Sequence, residues 1–342
     1  MKSLSIIVPV YNRPDEVKDL LKSLSRQRNL DSVEVVVVED GSDVSCKDVV
    51  DQFSDALDIV YLAQENGGPS KARNAGANVA SGDFLYFFDS DCIIPDDFFV
   101  NLSAELLDSH LDCFGTIDCA DASFSPIQKA ISYSMTSYFT TGGIRGGVHD
   151  DDSLSNQNKR MDKFYPRSYS MGVRADVFRQ VHGFDPDMRY GEDIDFSMRV
   201  LEAGFNVGLI SSAFVYHRRR STFKSFFKQT FCSGTARIDL ALRHKGALKL
   251  VHLLPSVAVI VLAAILVASV VVSPLLLILL AAYGLLVFAD AFGMYRSLGV
   301  AFLSVFASAI QISGYGLGFI SNAWLRLVCH SRKVAFQKSL YK

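Results

Sequence analysis

An excess of charge of either sign is missing from this 342-residue chain: 34 Lys and Arg face 36 Asp and Glu, a formal net charge of −2. No general basic field exists to draw in nucleic acid, so a nucleic-acid partner is not expected. The six cysteines (Cys46, Cys92, Cys113, Cys119, Cys232, Cys329) show no C-x-x-C or C-x-x-H spacing. That excludes a zinc module and a disulfide framework, and leaves ordinary cytosolic thiols. The apolar start is broken by Pro9 and Asn12, too short and too polar for a signal peptide, so the start of the chain is expected to stay in the cytoplasm. Thr141-Gly142-Gly143-Ile144-Arg145-Gly146-Gly147 is not followed by the Lys-Ser or Lys-Thr step of a phosphate cradle. With the acidic Asp150-Asp151-Asp152 it reads as a solvated loop.

What is present begins with alternation. Leu4–Val10 reads as a buried strand, and residues 15–28 carry Val17, Leu20, Leu21 and Leu24 at the i, i+3, i+4, i+7 spacing of an amphipathic helix. Val33–Val38 is a β-branched run of the kind covered on both faces, closed by Asp40-Gly41-Ser42. A helix near 48–53 and a strand over 59–62 follow. Asn66-Gly67-Gly68-Pro69-Ser70 then opens a helix, with Pro69 in the first turn where its missing N–H costs nothing. Phe84–Phe88 is the next strand, ending in Asp89-Ser90-Asp91. Repeated β-α units predict a parallel sheet with helices on both faces. Residues 108–165 show little pattern. Beyond them, strands are expected at 169–174 and 206–217, with a helix over 191–205 that opens on Glu192 and Asp193.

The apolar excess sits after Val251. Val251–Val272, Pro274–Phe292 and Leu298–Ile320 are long apolar stretches, the last interrupted by Gln311, Gly314, Gly316 and Gly318. Arg237, Arg243, Lys245 and Lys249 before the first stretch, and Arg326, Arg332, Lys333, Lys338 and Lys342 after the last, favour a cytoplasmic location for both flanks. An even number of crossings follows: two spans plus a third segment that does not cross. Residues 221–231 set Phe223, Phe226, Phe227 and Phe231 on one helical face beside Lys224 and Lys228. This helix suits either a membrane interface or packing on a soluble domain.

In a parallel sheet the C-terminal strand ends share one crevice, where open α/β folds bind ligands. Tyr11 and Asn12, Asp40, and Asp89 with Asp91 all stand at such ends. Asp40 can accept from a nucleobase edge or simply shape a turn before glycine. Tyr11 can pack on a base, and Arg73 and Asn74 can reach a nucleotide from the side. For Arg73 the competing reading is a surface ion pair. A D-x-D pair supplies oxygen ligands for a divalent cation on a diphosphate.

In order and spacing, these segments resemble family 2 glycosyltransferases: Ser5-Ile6-Ile7-Val8-Pro9-Val10-Tyr11-Asn12, Glu39-Asp40-Gly41-Ser42, Asn66-Gly67-Gly68-Pro69 with Ala72-Arg73-Asn74-Ala75-Gly76, Asp89-Ser90-Asp91, and Gly183-Phe184-Asp185 leading to Gly191-Glu192-Asp193-Ile194-Asp195. The apolar tail is similar to that of a membrane-anchored bacterial branch. The resemblance covers residues 3–220. It implies an α/β fold of the GT-A type, a Rossmann-like nucleotide-diphospho-sugar transferase domain over 1–220. An interfacial segment (221–249), transmembrane helices (250–325) and a basic tail (326–342) would follow.

The resemblance further implies an inverting, metal-dependent transfer from a nucleotide-diphosphate sugar, a UDP-sugar by expectation. Pro9, Tyr11, Asn12, Asp40, Arg73, Asn74 and Asp89 would bind the nucleotide sugar. Asp89 and Asp91, joined by His217, would hold Mg²⁺ or Mn²⁺, and Asp193 with Glu192 would be catalytic. Asp193 would take the acceptor proton, kept ionised by the helix N-terminus. The acceptor is expected to be lipid-linked, and the enzyme a multi-pass protein of the cell (inner) membrane with a cytoplasmic catalytic domain. Gln229 is not followed by the Arg-Trp of processive synthases, and the only Trp is Trp324, so single-sugar addition is expected. The competing readings are a nucleotidyltransferase and a non-catalytic membrane scaffold. Neither suits the chain: Pro9-Val10-Tyr11-Asn12 lacks the basic glycine-rich start of the first, and the intact acidic set argues against the second.

Overall fold

A computed structural model describes residues 3–28, 33–119, 124–141, 164–217 and 219–330. Gly142–Gly147, Asp150–Asp152, Arg218 and the basic tail beyond His330 lie outside them. The chain forms two compact units, neither continuous in sequence: residues 1–121 with 148–218, and residues 122–147 with 219–342.

The first unit is built on β1 (Leu4–Val10), β2 (Val33–Asp40), β3 (Asp58–Gln64), β4 (Phe84–Phe88), β5 (Cys92–Ile93), β6 (Cys113–Cys119), β7 (Ser170–Arg174) and β8 (Val207–His217). These make one sheet in the order β3-β2-β1-β4-β7-β6-β8-β5. β3, β2, β1 and β4 run parallel, as the β-α alternation predicts. The sheet as a whole is mixed, which corrects the expectation of a parallel one. β7 enters antiparallel to both β4 and β6, pairing Ser170 with Phe88 and Arg174 with Phe84. Pairing of β1 with β4 ends at Ile7↔Phe87, so Pro9 lies beyond that ladder, where a missing N–H is tolerated.

Side chains alternate between two buried faces. Ile6, Val8, Val35, Val37, Tyr86 and Phe88 pack with Val17, Leu20, Leu21 and Leu24 of α1 (Pro14–Leu24) and with Phe98, Phe99 and Leu102 of α4 (Phe98–Ser109). Ile7, Val36, Val38, Leu85 and Phe87 face the other way, onto Ala72 and Ala77 of α3 (Pro69–Val79), Val177 and Phe178 of α7 (Ala175–Gln180), and Phe196 and Val200 of α8 (Glu192–Glu202). Burial on both faces is why these strands read as unbroken apolar runs. α2 (Lys47–Asp51) follows β2. α3 sits close on the sheet: a Cβ at Gly76 would come within 2.6 Å of Ile7 Cγ2.

The second unit contains α5 (Pro126–Thr136), α6 (Tyr138–Thr141), α9 (Phe223–Arg243), α10 (Leu254–Val271), α11 (Leu277–Tyr295) and α12 (Leu298–Ala323). Among the described residues, three of its helical stretches, 250–271, 274–295 and 298–328, are long and apolar enough to cross a membrane. α5 and α6 emerge from a region without sequence periodicity. The Phe-rich helix α9 packs along α12, with Phe226 buried beside Ala307 and Ile131. Two of the glycines that interrupt the third apolar stretch, Gly314 and Gly318, line this seam with Gly234 of α9. A Cβ on Gly318 would run into the Phe231 carbonyl, one on Gly314 into Thr230 Oγ1, and one on Gly234 into the Tyr315 carbonyl. Gly318→Leu is therefore expected to cost roughly 1–3 kcal/mol through overpacking, lowering the midpoint of thermal unfolding in detergent. An unchanged midpoint would mean that α9 and α12 do not meet through glycine.

Candidate active site

Asp40 ends β2 with its carboxylate buried. Its Oδ1 accepts from Gln64 Nε2 (2.7 Å) and Gly67 N–H (2.8 Å), and its Oδ2 from Gly68 N–H (2.8 Å). Asn66 Nδ2 donates to the Asp40 carbonyl at 2.8 Å. Gly68, at φ 87°, is the residue that turns the chain into α3, so the carboxylate sits at that helix's N-terminus, where an anion is favoured. A carboxylate oxygen accepts two hydrogen bonds, so Oδ2 retains one acceptor direction beyond this cradle.

One turn along α3, Arg73 is only 4% exposed and joins two acidic motifs. Its Nη2 donates to Asp89 Oδ1 at 2.7 Å, its Nη1 to Glu192 Oε1 at 3.1 Å, and its guanidinium lies 5.6 Å from the Phe184 ring centre. Asp89 and Glu192, far apart in sequence, thus meet over one cation. Glu192 and Asp193 open α8 after Gly191, which holds the left-handed conformation at φ 76°. Asp193 Oδ1 accepts from Ile194 N–H at 2.8 Å, and its Oδ2 faces Arg167 Nη1 at 3.5 Å. Burial, with the charge of Asp193 beside it, pushes the Glu192 carboxyl up to about 7, against the pull of Arg73.

Asp91 is held from two sides, by Arg13 Nη1 at 2.9 Å and His217 Nε2 at 3.1 Å. The pairing of Cys92 with His217 between β5 and β8 sets the imidazole there, stacked on Tyr169 with ring centres 5.0 Å apart. Burial lowers the affinity of His217 for a proton, yet the Asp91 carboxylate outweighs burial and the net shift is upward. Ligand atoms of Asp91, Cys92 and His217 lie within 4.8 Å of one another. A hard carboxylate oxygen and an imidazole nitrogen suit a divalent cation, and His217 Nδ1 is buried without a hydrogen-bond partner among the described residues. Cys92 does not fit as a ligand. Burial raises its thiol well above the ordinary range, and Sγ is engaged with the Tyr169 carbonyl at 3.4 Å.

Other expected site residues have structural duties. Asn12, at φ 53°, accepts from Asp43 and Val44 N–H through Oδ1 and donates through Nδ2 to Asp43, tying the loop after β1 to the loop after β2. Asn74 spends both ends of its amide on Phe184, donating to the carbonyl at 2.7 Å and accepting from the N–H at 2.9 Å. It is a clasp between α3 and the Gly183-Phe184-Asp185 turn. Asp195 is buried and paired with Arg199 at 2.9 Å, facing away from solvent. Glu39 accepts from Ser45, Cys46 N–H and Tyr61, which anchors the loop after β2. Pro9 and Tyr11 lie partly buried at the end of β1. Gln64, Arg13 and Arg167 escape the sequence reading. Arg13 directly follows Tyr11-Asn12 and carried a positional signal, whereas Arg167 adjoins the stretch without pattern.

Comparison with known proteins bears on this geometry. The model of glycosyl transferase family 2 matches residues 5–178, and that of glycosyl transferase family group 2 matches residues 164–294. The chain is 25% identical over 254 residues to glycosyltransferase AglE of Haloferax volcanii, covering 73% of this chain and 78% of the relative. It is 27% identical over 246 residues to the pre-mycofactocin glycosyltransferase of Mycobacterium tuberculosis, covering 71% of this chain but only 48% of that protein. Among solved structures, the mannosyltransferase PcManGT of Pyrobaculum calidifontis, in complex with GDP-Man and Mn²⁺, superposes with a TM-score of 0.65 at 16% identity, covering 94% and 87% of the two chains. The shared fold is GT-A, and with a family match over half its length the chain belongs to glycosyl transferase family 2, whose members take a sugar from a nucleotide-sugar donor.

Proposed function

We propose that the enzyme is an inverting, non-processive glycosyltransferase that uses a UDP-sugar and a lipid-linked acceptor hydroxyl at the inner membrane, with its catalytic unit in the cytoplasm. The observation that carries this reading is the Arg73 bridge, which gathers Asp89 and the Glu192-Asp193 pair at one cluster.

In this mechanism the remaining acceptor direction of Asp40 Oδ2 takes an imide N–H of the base, and Tyr11 packs against the ring. Asp89 receives the ribose. Asp91 and His217 would hold Mg²⁺ or Mn²⁺, which when bound offsets charge on the departing diphosphate. Asp193 Oδ2 takes the proton of the acceptor hydroxyl as that oxygen bonds to the anomeric carbon. The bond from that carbon to the diphosphate breaks on the opposite face, releasing the nucleoside diphosphate. Glu192, kept protonated to near neutral pH, limits repulsion beside the base. The lipid-linked acceptor is supported by the apolar helices of the second unit, and a glycerolipid would suit them as well.

The full chain in detergent with Mn²⁺, offered UDP-sugars and GDP-mannose, is expected to release nucleoside diphosphate. Asp91→Ala is expected to lower that release roughly 100-fold or more, the scale of lost charge stabilisation. Nucleotide binding without turnover across the whole panel would favour a scaffold.

A further inference from the structure

The third apolar helix makes contacts that a third crossing would not. α10 and α11 are joined by the short link 272–276, so two crossings bring the start of α10 and the end of α11 to the same membrane face. In an up-down-up bundle α12 would run parallel to α10, and Gly316, about 27 Å along from Leu298 at 1.5 Å per residue, would stand level with the far end of α10. It stands at the near end instead. A Cβ on Gly316 would lie 2.5 Å from the Pro255 carbonyl and 2.7 Å from Val259, and Ser256 Oγ donates to the Gly316 carbonyl at 3.4 Å. The opening turns of α12 rest on the C-terminal part of α11, where Ala301 packs with Val287 and Ala291. α12 therefore ties together the start of α10 and the end of α11.

Its companions point the same way. α9 runs parallel to α12 in continuous register: Thr230 meets Gly314, Asn322 Nδ2 donates to the Thr235 carbonyl at 2.8 Å, and Arg326 pairs with Asp239 at 2.8 Å. A crossing by α12 would carry Lys224, Lys228, Arg237 and Asp239 of α9 through hydrocarbon, where charged side chains are strongly disfavoured. α5, with Lys129, packs on α12 too. Exposed apolar residues of α12 (Leu298, Phe302, Phe306, Leu317), with Trp324 just beyond its end, fall on one face.

Charge agrees. The second unit holds 16 Lys and Arg against 2 Asp, although the whole chain is nearly neutral. Arg296 lies before α12, Arg326 after it, and Arg243, Lys245 and Lys249 before α10, whereas the link 272–276 has no charge.

We infer that α12 lies along the bilayer surface rather than across it: its apolar stripe dips toward the acyl chains, α5 and α9 cover its other faces, and the basic residues meet an anionic headgroup layer. The chain then crosses twice.

Labelling with a membrane-impermeant maleimide on sealed vesicles of both orientations tests this. Native Cys329, exposed at the end of α12, and Arg296→Cys in a Cys329→Ser background are expected to react from one side. Ser273→Cys in the same background is expected to react only from the other. Reaction of Cys329 and Arg296→Cys from opposite sides would overturn the inference. A second reading uses Phe306→Trp with Trp324→Phe in vesicles carrying lipid quenchers at defined depths. Quenching by the shallow probe is expected, and strongest quenching by a probe at the bilayer centre would overturn the inference even if the cysteine variants fold poorly.

Discussion

Asp193→Asn is expected to lower kcat by roughly 10²–10⁴-fold, the usual contribution of a positioned general base, with little change in KM for the donor. The amide keeps the shape of the side chain, so the Ile194 N–H that Asp193 Oδ1 accepts at 2.8 Å retains a carbonyl partner. Folding should be preserved, and the loss is read as chemistry. Steady-state release of nucleoside diphosphate in the presence of acceptor measures it. A loss below threefold would assign the base elsewhere, with Glu192, its neighbour, the next candidate.

Arg73→Met is expected to destabilise the protein by about 3–5 kcal/mol, the scale for removing one partner of a buried ion pair. Methionine fills much of the volume, but Asp89 and Glu192 lose their shared cation. The pH dependence follows from the direction of the Glu192 shift. Burial holds its folded carboxyl near 7, above the ordinary value of 4.5, so the folded state keeps a proton that the unfolded state has given up. Stability from this group is complete below the unfolded value and declines as pH rises through the folded one. Arg73 pulls the folded value down, so Arg73→Met should extend the decline to higher pH, and Glu192→Gln in the same background should abolish that extension. Thermal unfolding in detergent from pH 5 to 9 measures both. Equal stability of Arg73→Met and the unmodified enzyme at every pH would show that the bridge carries no charge load.

The parts of the site that were legible in sequence are those where chemistry and position coincide within a few residues. Asp40 before Gly41, the Asp89-Ser90-Asp91 strand end and the Glu192-Asp193 helix opening each announce their element. What was not legible depends on partners far away. Asn74 looks like a side chain free to reach a nucleotide until Phe184, 110 residues on, takes both ends of its amide. Asp195 shares its helical turn with Asp193, yet Arg199 draws it inward. β7 carries no local mark of direction. The residues before it, 108–165, show little pattern from which its antiparallel entry could be read. In the second unit, Gly314, Gly316 and Gly318 read as flaws in a membrane span because a hydropathy pattern rewards bulk, whereas close helix contact needs its absence.

The short helix α3 has a further consequence. The amides of Gly67 and Gly68 just before it clamp the Asp40 carboxylate, its second turn carries the Arg73 guanidinium that joins Asp89 and Glu192, and Gly76 seats it against β1 without slack. In the proposed mechanism the two ends of the donor would thus be measured against a single rigid gauge. Recognition of the nucleoside and delivery of the sugar would then be mechanically one event, and a shift of this helix would detune both together.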